Sequence, residues 1–467
     1  MPKLSSAEPI ISVSGLRGIV GESLTPEIAV RYAAAFVADL AAGPIVLARD
    51  GRSTGPMIAD AVRAALLASG RDVLDAGVAA TPTVGVLVRE HHAAGGIQVS
   101  ASHNPAPYNG LKLFGGDGRV IPAAAGEKVI ARYRSGDAAW AAHDAIGRAV
   151  LLADTTSRHR DLVLAIVDVE RIRRRGFKVL VDANHGSGSV LGRVLLDAFG
   201  CETIWLGETP DGQFDHLPEP TAENLAGVAA AVRRQQVDIG FCQDPDADRL
   251  AIIDKQGRYI GEEYTLALCV AHVLAMADGR DGRPALGPVV TNCSTSRMSQ
   301  DLAEKYGVAF FRSPVGEANV TDVMRRERAL IGGEGSGGAI DPRVGYVRDS
   351  FVGMALVLDM MAQRGQPVSA LADELPRYAI EKDKVTGAGG WGSGAGAEAL
   401  KRIFPDAAVD ASDGLRLDWP DRWLLVRASN TEPIVRIVAE APHADAARRL
   451  CRDAASALNS TAARASH

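Results

Sequence analysis

The sequence predicts an α/β protein: three related α/β domains with mixed, mostly parallel sheets, followed by a smaller C-terminal α+β domain. Three observations carry this. Short apolar strands alternate with helical segments in three successive stretches. The segment Leu113-Phe-Gly-Gly-Asp-Gly-Arg-Val-Ile121 parallels Ile252-Ile-Asp-Lys-Gln-Gly-Arg-Tyr-Ile260 at an offset of 139 residues, one domain length. The alternation then breaks towards the C-terminus. The predicted boundaries are 1–150, 151–256, 257–373 and 374–467.

The first helix opens at Thr25-Pro26-Glu27, an N-cap residue followed by proline at the first helical position. A strand follows over Pro44–Ala48, ending in the polar turn Arg49-Asp50-Gly51-Arg52, then a helix over Pro56–Ser69 and strands near Asp72–Leu74 and Gly96–Ser100. The second copy has strands at Lys178–Asp182, Thr203–Leu206 and Asp238–Cys242, with a helix ending at Phe199. The third has strands at Pro288–Thr291, Val308–Phe311 and Ala329–Ile331, with a helix over Ser294–Tyr306. In the last domain strands are expected at Gly414–Asp418, Trp423–Val426 and Ile434–Ala439, with helices over Glu398–Ile403 and Ala444–Leu458.

Composition narrows the function classes. Apolar residues are 47% and charged residues 23%, enough for full globular cores. The longest apolar run, Leu266 to Ala277, is short of the roughly 18 residues of a membrane span and reads as a buried helix. A net charge of -6 with no basic block argues against nucleic acid as a partner. Met1–Pro9 carries no export pattern, and five scattered cysteines fit a reduced, cytoplasmic compartment without disulfides or zinc. The basic run Arg171-Ile-Arg-Arg-Arg-Gly176 reads as a solvated helix end closed by glycine. The 49 glycines are in excess, and glycine marks tight turns and close backbone approach.

In each copy the third strand runs into an unusual loop: Ser100-Ala-Ser-His-Asn-Pro105, Gln243-Asp-Pro-Asp-Ala-Asp-Arg249 and Gly332-Gly-Glu-Gly-Ser-Gly-Gly338. Ligand sites of parallel sheets lie beyond the carboxyl ends of strands, so three such loops point to one shared site. Asp244, Asp246 and Asp248 would repel one another without a cation among them, and three carboxylates with room for water or phosphate favour magnesium. Ser102 and His103 invite a hydrolase reading, but no G-x-S-x-G is present, and neighbours on an extended strand face opposite ways. The glycines around Glu334 and Ser336 lack the lysine of a P-loop, and Gly186-Ser-Gly-Ser-Val-Leu-Gly192 lacks the dinucleotide spacing; both read as structural turns, the first with room for a sugar. Arg427-Ala-Ser-Asn-Thr-Glu-Pro433, with Arg436 beyond it, offers the guanidinium, hydroxyl and backbone donors that suit a phosphate. The glycine cluster 387–396 reads as a flexible loop.

Taken in order, from Gly15-Leu-Arg-Gly-Ile-Val-Gly21 to the Arg427 loop, these motifs resemble the phosphohexomutase family across essentially the whole chain. The resemblance implies four domains around a central cleft and interconversion of hexose 6-phosphate and hexose 1-phosphate. It implies that Ser102 is a phosphoserine that gives and receives phosphate, with a sugar bisphosphate as intermediate and activator. One magnesium ion per chain would be held by Ser102, Asp244, Asp246 and Asp248, with Arg249 beside it. Arg17 and Lys112 would serve proton transfer and charge balance; Glu334 and Ser336 would bind sugar hydroxyls. Arg427, Ser429, Asn430 and Thr431, joined by Arg436, would grip the non-reacting phosphate. Two departures stand out: Gly338 replaces a histidine common in relatives, and Pro314 replaces a lysine. The Gly337-Gly338 ending, with Arg348-Asp349-Ser350 soon after, makes the chain look most like archaeal-type phosphoglucosamine mutases, with glucose and mannose phosphates as the alternative substrates. The implied partners are small sugar phosphates, with no nucleic acid and no membrane; monomer and homodimer both stay open.

Overall fold

The computed structural model describes residues 8–12, 15–278, 287–386, 391, 394–429 and 434–465. Its first sheet has seven strands: β1 Ile10–Ser12, β2 Gly15–Ile19, β3 Ile45–Arg49, β4 Val73–Val78, β5 Gly95–Val99, β6 Tyr108–Gly115 and β7 Ala149–Leu151, in the order β1-β2-β6-β5-β3-β4-β7. The second holds β8 Lys178–Asp182, β9 Glu202–Leu206, β10 Ile239–Gln243 and β11 Leu250–Asp254, ordered β11-β10-β8-β9. The third holds β12 Val289–Asn292, β13 Phe310–Ser313, β14 Ile331–Glu334 and β15 Gly338–Ile340, ordered β13-β12-β14-β15.

These sheets share one plan. In each, three parallel strands are followed by a fourth that returns antiparallel beside the third: β6 on β5, β11 on β10, β15 on β14. The repeat seen in the sequence has a counterpart in the ladder, because Phe114 bridges Val120 as Ile253 bridges Tyr259, again 139 residues on. The turn between third and fourth strands therefore stands at the same place in all three copies, and the three distinctive loops occupy it.

The C-terminal sheet is wholly antiparallel: β16 Ala379–Thr386, β17 Ala408–Asp410, β18 Leu415–Asp418, β19 Trp423–Ala428 and β20 Ile434–Ala441, ordered β16-β20-β19-β18-β17. Helices Ala395–Ile403 and Ala444–Ala465 cover it around a separate apolar core. The last helix runs seven residues beyond the expected Leu458, on a continued alanine-rich stretch. Most of the 387–396 glycine cluster lies outside the described residues; Ala395 and Gly396 already belong to the helix.

Several sequence expectations shift. The helix expected from Ser294 begins at Met298, because Asn292 Oδ1 accepts from the Ser294 amide and from the Ser294 and Thr295 hydroxyls, holding those residues in a turn. Arg171 is not simply solvated: it makes a two-pronged ion pair at 2.7 and 2.8 Å with buried Asp359, which His272 also contacts. That link ties helix Val169–Arg175 to helix Ser350–Arg364. The apolar run at Leu266 lies in helix Glu262–Asp278, buried as expected; no described helix is long and apolar enough to cross a membrane.

One apolar core joins the second and third repeats, running from Val179, Val181 and Phe241 through Leu266 and Leu274 to Phe351 and Leu358. The metal-type loop and the sugar-type loop are thus mounted on a common block. Phe351→Ala, at a fully buried position, is expected to destabilise the protein by about 3–5 kcal/mol. Hydrogen exchange under mild denaturant should show β10 and β14 losing protection together; independent opening would contradict the shared core.

Candidate active site

The serine loop is held by a buried pair that the sequence reading passed over as a polar turn. Asp50 and Arg52, at the carboxyl end of β3, are 0% and 2% exposed. Arg52 Nη2 donates to the carbonyls of Ser102 at 2.7 Å and Asn104 at 2.5 Å, and Nη1 to those of Pro105 and Tyr108 at 2.9 Å each. Asp50 accepts from Arg52 Nε at 3.2 Å and from Ser100 Oγ at 2.6 Å, and Ser100 Oγ in turn accepts from the Ser102 amide at 2.9 Å. One guanidinium thereby fixes four loop carbonyls.

Ser102 is 2% exposed and sits in the left-handed region at φ 49°, a conformation that serine rarely adopts and that clusters at functional sites. This overturns the expectation that His103 points away. Extended geometry does not apply, and His103 Nδ1 stands 3.2 Å from Ser102 Oγ. The hydroxyl has one proton, and Ser102 Oγ donates it to Asp244 Oδ2 at 2.7 Å. Burial, with Arg249 and Arg17 nearby, pushes the imidazole down to about 2, so His103 is neutral.

Asp244, Asp246 and Asp248 are each 0% exposed. Left-handed Ala247, φ 55°, lets the loop double back so that the Asp248 and Arg249 amides both donate to Asp244 Oδ1 at 3.2 Å. Thr81 Oγ1 donates to Asp246 Oδ2 at 2.5 Å, and Lys112 Nζ reaches Asp246 Oδ2 at 3.1 Å and Asp248 Oδ2 at 2.8 Å. Arg348 Nη2 donates to Asp248 Oδ2 at 2.6 Å. Burial and the two neighbouring carboxylates hold Asp244 well above the usual carboxylate range. Lys112 and Thr81 overcome burial to keep Asp246 below it.

A cation fits this donor set. One oxygen from each aspartate can be chosen so that all three lie within 4.8 Å of one another. Asp246 Oδ1 and Asp248 Oδ1 are buried without a hydrogen-bond partner, and only hard oxygen donors are presented, Ser102 Oγ adjoining them.

The remaining expected residues surround this cluster. Arg17, on the strand next to that of Lys112, donates to Asn104 Oδ1 at 3.1 Å. Arg249 belongs to the aspartate loop; its Nε is buried with no hydrogen-bond partner. Glu334 closes β14, accepting from Asn292 Nδ2 at 2.8 Å, the Gly316 amide at 3.2 Å and Arg348 Nη1 at 2.7 Å; Ser336 Oγ accepts from the same nitrogen at 3.3 Å. The loop's glycines are required by contact: at Gly337, φ 81°, a Cβ would lie 2.2 Å from the Leu250 carbonyl oxygen. Around the dismissed dinucleotide run, Gly188 opens a helix under Gln243, whose Oε1 lies 2.1 Å from where its Cβ would be. In the C-terminal domain Arg427 faces Arg436 across β19 and β20, and Arg436 faces Lys384 across β20 and β16. These three cations therefore share one face of the sheet. Arg427 Nε donates to Asp413 Oδ1 at 3.2 Å, and the Ser429 amide to the Ile434 carbonyl at 2.9 Å. Asn430 and Thr431 lie outside the described residues. Arg348, which bridges two of the loops, entered the sequence reading only as part of the Arg348-Asp349-Ser350 resemblance, with no role assigned to it.

The comparisons with known proteins agree with this layout. The family models for phosphoglucomutase/phosphomannomutase match in order: alpha/beta/alpha domain I over residues 10–140, domain II over 157–257, domain III over 262–378 and the C-terminal domain over 384–457. A phosphoglucomutase/phosphomannomutase of Thermococcus kodakarensis is 35% identical, the match covering 93% of this chain and 95% of that protein. A probable phosphoglucosamine mutase of Methanopyrus kandleri is 32% identical over 94% and 95% of the two chains. Among solved structures, a phosphoglucomutase/phosphomannomutase family protein of Burkholderia thailandensis superposes with a TM-score of 0.82 at 26% identity, covering 97% of this chain and 98% of that one.

Two measurements test the site. Adding magnesium to metal-stripped protein is expected to raise its unfolding free energy by about 2.7 kcal/mol at a hundred times Kd, and Asp246→Asn should erase most of that gain. Asp50 titrates at about 6 instead of 3.8, burial outweighing Arg52 and Ser100. Between those values the folded chain keeps a proton at Asp50 that the unfolded chain has lost, so this group makes stability fall as pH rises through the window. Denaturation curves at a series of pH values should show Asp50→Asn lacking that component.

Proposed function

The chain belongs to the phosphoglucomutase/phosphomannomutase family and is a phosphohexomutase; on that premise we propose that Ser102 is its phosphate carrier and glucosamine phosphate its preferred substrate. The observation that carries the first part is the 2.7 Å contact from Ser102 Oγ to Asp244 Oδ2, which joins the serine of one repeat to the buried carboxylates of another. A phosphoserine adds about -1.5 to -2 charge there, which supports a resident divalent cation, magnesium, held by Ser102 and the three aspartates. When bound, it would neutralise charge on the phosphoryl oxygens.

The chain's own residues supply the rest. The phosphoryl group leaves Ser102 Oγ for a free sugar hydroxyl, giving a bisphosphate; the other phosphate then returns to the same oxygen, and the hydroxyl proton is exchanged in each direction. Transfer of this kind needs in-line positioning and charge stabilisation above all. Arg249, Arg17 and Lys112 place three positive charges around Ser102, with Lys112 and Arg17 serving proton transfer and charge balance. Glu334 and Ser336 take sugar hydroxyls. Arg427, Ser429, Asn430, Thr431 and Arg436 take the phosphate that is not reacting.

The preference for glucosamine phosphate rests on the Methanopyrus kandleri relative and others with the same printed name. The name of the Thermococcus kodakarensis relative favours glucose or mannose phosphate as the second reading. Mass spectrometry of the purified protein should find one phosphate on Ser102. Ser102→Ala is expected to lose at least ~10³-fold in kcat/KM, and retained turnover would exclude the serine as carrier. Assays on glucosamine, glucose and mannose 6-phosphates should give the highest kcat/KM for glucosamine; a higher value for glucose or mannose selects the second reading.

A further inference from the structure

Arg348 stands in a space that exists only because residue 338 is glycine. A Cβ at Gly338 would lie 2.4 Å from Cδ, 2.7 Å from Cγ and 2.9 Å from Cβ of Arg348. The Gly338 backbone is outside the left-handed region, so the neighbouring side chain, not φ, demands glycine there. Where the family resemblance has a histidine at 338, the side-chain space beside Gly338 is filled here by Arg348.

What Arg348 does with that volume is specific. Its backbone is set by Asp349, whose carboxylate caps helix Ser350–Arg364 by accepting from the Phe351 and Val352 amides at 2.9 and 3.3 Å, and by its own amide donating to Glu317 Oε1 at 2.9 Å. The guanidinium, on a residue 8% exposed, then forks. Nη2 reaches Asp248 Oδ2 at 2.6 Å, while Nη1 reaches Glu334 Oε2 at 2.7 Å and Ser336 Oγ at 3.3 Å. One planar group thus ties the aspartate loop of the second repeat to the sugar-type loop of the third.

We propose that Arg348 is a positioning residue for the mutase reaction, locking Glu334 and Ser336 in register with Asp248 from the space left by Gly338. The inference rests on the loop roles proposed above. A lysine keeps the charge but lacks the fork that reaches two carboxylates and a hydroxyl together.

Gly338→Ala, Arg348→Ala and the double variant test it, read by calorimetric affinity for hexose 6-phosphate on metal-stripped protein, by kcat and KM, and by the unfolding midpoint. Each single variant is expected to weaken sugar-phosphate binding about tenfold and to lower kcat, Gly338→Ala doing so by displacing the guanidinium. The double variant should be no worse than Arg348→Ala, because the added methyl then has nothing to displace. Additive losses, or a Gly338→Ala protein that binds like the parent, would overturn the proposal. So would single variants whose midpoint drops while affinity and kcat/KM stay at parental values, the mark of a purely structural arginine. If Arg348→Ala does not fold, Arg348→Lys replaces it and should restore charge without restoring affinity; full recovery counts against the fork. A parent that binds sugar phosphate without turnover sinks the mutase reading yet still lets the coupling be measured. A parent that turns over with no coupling sinks only this inference.

Discussion

Three carboxylates buried side by side are the constraint to which most of the molecule answers. At zero exposure, Asp244, Asp246 and Asp248 have no water to spread their charge, and an uncompensated buried carboxylate costs several kcal/mol even after relaxation. Much of the compensation comes from outside their own repeat. Lys112 arrives from the first and Arg348 from the third, while Thr81 of the first repeat donates a hydroxyl. The ion contacts of Lys112 and Arg348 with Asp246 and Asp248 therefore also draw three sheets together at one point. Asp244 is paired less well than its neighbours: the groups bonded to its carboxylate are the Ser102 hydroxyl and two amides. Burial and its two carboxylate neighbours hold it well above the usual carboxylate range.

The shared strand order explains why a site could be assembled this way at all. With the fourth strand returning beside the third in every copy, each sheet exposes one loop at an equivalent edge, and three copies packed around a common point present three loops to it. Duplicated folds supply equivalent places, not equivalent chemistry, so one copy could specialise in hydroxyl and imidazole, the next in carboxylates and the third in glycine-lined space. The division of cores adds a mechanical distinction. The second and third repeats share theirs, whereas most of the first packs in a core of its own, its remaining cluster taking in Val347 of the third. The Ser102 loop is fixed from within its own repeat by the Asp50–Arg52 clamp.

What the sequence disclosed follows the range of the forces involved. The strands, the 139-residue repeat and the three loops at strand ends depend on local periodicity and turn chemistry, and they were legible. The aspartate cluster was legible too, because three carboxylates at alternate positions between apolar strands have few purely structural uses. Arg52 and Arg348 were not, since what makes each important is a set of acceptors up to 100 residues away in sequence. Arg171 misled for the same reason: its partner Asp359 is 188 residues on. His103 was misjudged from a local rule, alternation along a strand, that a single left-handed residue at Ser102 suspends. A signal for Arg52 did exist, in its position just past the carboxyl end of a central parallel strand, where ligand sites gather.

The phosphate-type anchor poses a different physical problem from the transfer site, and the fold treats it differently. A mutase must accept its sugar in two orientations, so that either phosphate can face the phosphate carrier, for which Ser102 is proposed, while the other is held. Recognition through a fixed pattern of sugar hydroxyls would favour one orientation, whereas a phosphate dianion offers nearly the same oxygen cluster either way round. That argues for putting most of the grip on charge, as the proposed anchor would with Arg427 and Arg436, which face one another and Lys384 across the strands. It also argues for few, accommodating contacts to the ring, which suits a sugar loop of five glycines around Glu334 and Ser336. The anchor is carried by a sheet with its own core, and its links to the third repeat include the Asp413 carboxylate, which accepts from the Val315 amide at 2.9 Å as well as from Arg427. Asp413 therefore joins the cationic row directly to the loop beside Pro314, where the family resemblance led one to expect a lysine. Proline cannot supply that lysine's charge.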